Sequence, residues 1–165
     1  MNSKNLIAEL EFELISTKKL LELVPADKLD WQPHHKARSL GELALHVAIV
    51  PGRFLTFATE GNTTVQALTE RVIPKSKTEI LDGFKQGTET ANEILTKTID
   101  SLESKSWNLL SNNKVIFTLP VPMFVRLLIF NHLIHHRGQL SAYLRQMDIL
   151  IPSIYGPSAD ENPFA

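Results

Sequence analysis

Residues 131–140 read NHLIHHRGQL and place three of the chain's six histidines within five positions. Imidazole titrates near neutral pH and is the commonest metal ligand, so such a cluster raises acid–base and metal chemistry together. His132 and His136 stand four residues apart, one turn of a helix, and on one helical face two such rings converge on a single ion. At 100° per residue, Gln139 and Tyr143 fall within about 20° of His132, and Leu128 and His136 within about 40° on either side. His135 sits at the edge of this stripe. Gln139 is expected either to orient a ligand or water or to hydrogen-bond within the core. Tyr143 is expected to pack with a satisfied hydroxyl, and Arg137 and Arg145 point away, toward an outer or interface face.

Two imidazoles do not make a metal centre. Zinc takes about four ligands, and a catalytic zinc about three from protein with one position open. The chain has no cysteine, which removes disulfides, thiolate nucleophiles and thiolate ligands at once. A third ligand must therefore be nitrogen or oxygen, and the remaining histidines are His34, His35 and His46. His34 and His35 lie in the loop WQPHHKARS, where periodicity says nothing about direction. His46 borders a buried stripe that includes Leu43 and Val50, so it points into a helix packing whose axes run about 8–10 Å apart. Inward side chains on facing helices commonly build metal sites in such folds. Two other readings stand beside this one: a solvated helix edge, and a core histidine pair satisfied by hydrogen bonds. Glu42, one turn before His46, is either a helix-capping residue or an outer acceptor for the His46 ring. Trp31 and Trp107 read as loop anchors.

The elements that must position these residues are helical. Apolar residues at steps of three and four predict helices over residues 3–24, from Ser39 through Phe57, 76–102 and 122–147. Ser39 and Glu42 form a capping-box pattern, Pro51 falls inside the second helix and is expected to kink it, and Pro122 suits the first turn of the last. The intervening loops, of about fourteen, eighteen and nineteen residues, are long for a bundle. KVIFTLPV, residues 114–121, is able to form a short extended segment, and the proline-rich tail IPSIYGPSADENPFA is expected to wrap the surface. The expected fold is all-α, a four-helix bundle with long connecting loops, in a single domain over residues 1–165.

Seventeen basic against eighteen acidic residues leave no global field for nucleic acid or an anionic membrane, and no lysine/arginine run supplies a local one. The N-terminus lacks a secretory pattern and the longest uninterrupted apolar runs, such as LLIF, fall far short of a bilayer's width. A cytoplasmic protein is expected.

Three stretches carry a family resemblance. LVPADKLDWQPHHKARSLGELALHVA, HLIHHRGQLSAYLRQM and IPSIYGP resemble the first loop with second helix, the last-helix motif and the following segment of the DinB-like (YfiT-like) family of four-helix metalloproteins. The resemblance implies a three-histidine site at His46, His132 and His136 for a divalent ion, zinc or nickel, with open positions for water or substrate. It also implies a homodimer and a transfer or isomerisation reaction using a low-molecular-weight thiol such as bacillithiol or mycothiol. Two further functions stay open: a non-enzymatic, stress-linked binding or structural protein whose metal sphere is closed by Glu42 or a fourth histidine, and a metal-dependent hydrolase.

Overall fold

The computed structural model describes residues 2–164. Helix α1 (Ser3–Leu23) starts at Asn2, whose side chain accepts from the Lys4 and Asn5 N–H groups. Helix α2 (Leu40–Glu60) begins on the expected capping box, with Ser39 accepting from the Glu42 N–H and Glu42 accepting from the Ser39 N–H, and runs on across Pro51. It stops at Gly61, whose φ of 73° suits a residue without a Cβ. A short helix α3 (Val65–Thr69) follows, then α4 (Lys77–Lys97), capped by Ser76. A 3₁₀ turn, Ile99–Leu102, takes the last residues assigned from periodicity to that helix.

The final helical run covers residues 121–145 in three parts: α5 (Val121–Phe124), a π-helical segment (Val125–Asn131) and α6 (His132–Arg145). Such π segments widen the turn and shift the phase of the residues beyond it, and they recur at functional sites. Here the segment ends one residue before the first clustered histidine. Leu10, Leu20, Val47, Val50, Ile80, Ala91, Leu95, Leu133, Leu140 and Leu144 bring α1, α2, α4 and α6 onto one core. The α2 and α4 backbones touch: a Cβ on Gly52 would lie 2.6 Å from the Gly87 carbonyl oxygen, so only glycine fits. By length and composition α2 also qualifies as a membrane span, which the short uninterrupted apolar runs do not suggest, but most of that stretch is buried inside the protein.

The expectation of an all-α four-helix bundle is corrected by a three-stranded mixed sheet in the order β1–β2–β3. Strand β1 (Asn62–Thr64) pairs parallel with β2 (Ser106–Ser111), and β2 pairs antiparallel with β3 (Lys114–Pro120). What reads as the nineteen-residue third loop is largely this hairpin. Its two-residue turn is Asn112–Asn113, both at positive φ (48° and 60°), as a type I′ turn demands and asparagine tolerates. The hairpin escapes a search for alternation because its pattern is broken twice. A register shift at Leu109/Leu110 interrupts β2, and Val115, Ile116 and Phe117 of β3 are all exposed in succession. The anchor is Trp107, fully buried, its indole N–H donating to the Thr63 hydroxyl at 3.3 Å and its ring 4.6 Å from that of Phe124.

Candidate metal centre

His46 lies on the second turn of α2, buried among apolar neighbours, while His132 and His136 occupy the first two turns of α6 and are half-buried. Each offers a ring nitrogen, and these nitrogens lie within 4.8 Å of one another. The ring centroids are 5.1 Å apart for His46 and His132, 4.6 Å for His46 and His136, and 4.4 Å for the helical pair. Phe54, two turns beyond His46, covers the cluster with its ring 5.2 Å from that of His132 and 6.3 Å from that of His46.

Burial is the first cause of the site's electrostatics. It pushes the His46 imidazolium down to about 2 and that of His132 to about 4, helped by the neighbouring histidines and by Arg38. The His136 pKa is lowered as well, again by burial first. All three rings are therefore neutral at pH 7, the form that offers lone pairs. An unfolded histidine titrates near 6.5, so below that pH the unfolded chain takes up protons that the folded chain refuses. The stability tied to neutral histidine is complete above pH 6.5 and is lost as pH falls toward 4. The Tm of metal-stripped protein is expected to drop across that window, and His46→Leu to flatten the drop. A pH-independent Tm from 7 to 5 would contradict this.

The donor set fits a borderline divalent ion such as zinc or nickel, for which imidazole is a suitable ligand. His46 Nε2 and His132 Nε2 stand 2.8 Å apart, sharing one proton in a ring-to-ring hydrogen bond. A tetrahedral zinc sets its nitrogens about 3.3 Å apart, so seating an ion would widen this pair by about half an ångström. His136 Nδ1–H donates to Gln139 Oε1 at 2.7 Å, which directs the other ring nitrogen to the cluster. A ligating histidine characteristically makes such an outer bond.

The remaining sequence candidates sort clearly. His135 is exposed and its ring lies 4.9 Å from that of His136, outside the cluster. His34 and His35 face each other at 4.1 Å in their exposed loop, and neither joins the cluster. Tyr143 packs edge-on to Trp31 at 5.5 Å and donates to the Arg38 carbonyl at 3.4 Å. Glu42 does not reach His46: the Arg71 guanidinium grips it through two 2.8 Å bonds, Nε to Oε1 and a terminal nitrogen to Oε2. Arg145 is exposed and paired with Asp160. Arg137, expected on an outer or interface face, is instead buried in the core. Leu133, Leu140 and Leu144, at steps of four and three around it, carry the signal that places it there. Sequence reasoning also missed Arg38 and Arg53, which line a small pocket beside His46. The one trace of Arg38 in the sequence is the basic cluster HHKAR before α2, and Arg53 has none.

The DinB family model matches residues 1–162. The chain belongs to the DinB family. Bacillus subtilis (strain 168) YrdA, described as an uncharacterised protein, is 29% identical over 153 residues, covering 92% of this chain and 86% of its own. Among solved structures, a DinB-like protein from Bacillus cereus matches with a TM-score of 0.71 at 22% identity, over 94% of this chain and 100% of that one. The DinB-like protein YjoA of Bacillus subtilis gives 0.67 at 20% identity, over 87% and 92% of the two chains. At such identities these structures establish a shared fold.

Proposed function

We propose that this DinB-family protein holds a divalent metal ion, zinc or nickel, on His46, His132 and His136 and uses it in a transfer reaction with a low-molecular-weight thiol. The observation that carries the reading is the convergence of three neutral imidazoles from two helices beside a polar pocket. A bound divalent ion supplies Lewis acidity, which lowers the pKa of an incoming thiol so that thiolate is available at neutral pH. Everything else falls to the chain. Gln139 fixes the tautomer and tilt of His136, Phe54 shields the His46–His132 edge from water, and the cysteine-free sequence leaves the nucleophile to the cosubstrate.

Two observations favour a transferase over a structural metal or a hydrolase. A closed sphere needs a fourth protein ligand, yet Glu42 is engaged by Arg71 and His135 lies outside. Hydrolysis calls for a general base, and the two carboxylates of the pocket beside His46, Glu42 and Glu70, are already held by Arg71 and Arg53. The test is turnover: zinc- or nickel-loaded protein is assayed with bacillithiol, mycothiol and glutathione against an activated aryl halide. Metal-dependent loss of free thiol, abolished in His46→Ala, is expected. Silence across all three thiols with fully loaded protein would replace this reading with the structural-metal one.

A further inference from the structure

The pocket beside the histidines is lined by three apolar residues and by Arg38, Glu42, His46, Arg53 and Glu70. Arg71 reaches in to Glu42 from outside the lining, so three guanidinium groups meet two carboxylates here. Glu42 is taken by the Arg71 fork and by the Ser39 N–H. Glu70 accepts from Arg53 at 2.7 Å, and the same Arg53 nitrogen donates to the Ala67 carbonyl at 2.6 Å. Arg38 is the cation left over. It is half-buried, and among the described residues its guanidinium has no hydrogen bond, ion pair or ring contact. Its backbone carbonyl, held by Tyr143, fixes where the side chain starts.

A guanidinium carries five N–H donors, and a partly buried charge without a partner lowers stability. Burial and the nearby Arg71 pull the Arg38 pKa down against the opposing charge of Glu42, and Arg38 shares the pocket lining with His46, the buried member of the histidine cluster. The chain thus keeps, next to its reactive centre, a fork of donors that nothing in the fold uses.

We propose that Arg38 binds an anionic oxygen group, a carboxylate or a phosphate, on the molecule whose reacting end faces the three histidines. A guanidinium fork matches two oxygens of either group bidentately, with specificity that lysine lacks. The pocket encloses only about 10 Å³, the space of one water, so it admits an oxygen of such a group at its mouth and not a substrate body. The substrate or cosubstrate class is therefore a molecule with an acidic group, anchored at Arg38 and reacting at the histidines. This deepens the proposed function and rests on it only for which end reacts.

Calorimetric titration of malonate and of orthophosphate into metal-stripped and zinc-loaded protein tests the proposal, with zinc content measured for each variant. Wild type is expected to bind at least one of the two anions in the metal-stripped form, and the pair separates carboxylate from phosphate preference. Arg38→Gln is expected to weaken that binding by tenfold or more and Arg38→Lys by less, with zinc stoichiometry unchanged. Because Arg38 makes no bond that folding needs, Arg38→Gln should melt at or above the wild-type temperature. Undiminished anion binding in Arg38→Gln, absence of binding of either anion to wild type, or a lowered Tm with binding intact would each overturn it. A wild type that takes up no zinc yet binds malonate through Arg38 would keep this assignment and overturn the metal reading instead.

Discussion

Replacing His132 or His136 by alanine is expected to abolish stoichiometric zinc or nickel binding, while His135→Ala retains it. Each of the first two changes leaves two imidazoles of a three-imidazole cluster, too few for the about three protein ligands of an open metal site. His135 is exposed and stands outside the cluster, so its loss removes no donor. Gln139→Leu provides the intermediate case: it frees His136 to tilt and change tautomer, and loss of such an outer partner typically costs about 10–100-fold in affinity. A ligand variant must lose more than that. Melting supplies a second readout, because an ion that binds only the folded state stabilises it. At a hundredfold excess over Kd the gain is about 2.7 kcal/mol, or roughly 5–10 °C for a chain of this size. The rise should be present in wild type and His135→Ala and absent in His132→Ala and His136→Ala. Full metal content in purified His136→Ala would reject the ligand assignment.

The largest expected loss of stability lies away from the histidine cluster. Arg137 is 1% exposed, and its guanidinium donates to the Glu13 carbonyl at 2.8 Å and to the Ser16 hydroxyl at 3.0 Å. It pairs with the Glu13 carboxylate at 2.6 Å and donates to the Tyr155 hydroxyl at 2.5 Å, while Tyr155 in turn donates to Glu13 at 2.7 Å. One buried ion pair thus ties α1, α6 and the C-terminal segment together. Burial, followed by the bond to Glu13, pushes the Tyr155 phenol up to about 12, so it remains a donor at any ordinary pH. Arg137→Ala would strand Glu13 as a buried carboxylate, and breaking such a pair from one side costs about 3–5 kcal/mol. At about 2–4 °C per kcal/mol the Tm should fall by roughly 6–20 °C. The double variant Glu13→Leu/Arg137→Met, which removes both charges, should recover most of that loss, since apolar replacement of a buried pair is often neutral. Thermal melts of the three proteins decide it. A loss below about 1 kcal/mol in Arg137→Ala would mean that water reaches the pair.

Much of this architecture is legible in single residues. The Ser39–Glu42 capping box starts α2 as the pattern predicts, and steps of three and four place Leu43, Val50 and Phe54 on the buried face. The spacing of His132 and His136 places both on one face of α6, and the inward lean of His46 puts it opposite them. Of the sheet, only β3 was legible, as the extended segment over residues 114–121. A bulge in β2 and three exposed apolar residues in β3 erase the period of two, and the parallel partner β1 lies 44 residues from β2 in sequence.

By itself, then, the amino-acid sequence determined what depends on neighbours along the chain: helix starts, the histidine pair, and the absence of any thiol ligand. Tertiary structure alone decided what depends on partners distant in sequence. Glu42 turned from the His46 ring to Arg71 across 29 residues, and Arg137 found Glu13 across 124. Arg38 was left without a partner because both carboxylates of its pocket were already taken. A charged side chain's position carries no periodic signature of its own. Where it comes to rest depends on which opposite charge the fold delivers, and the histidine site is bounded by residues of that kind.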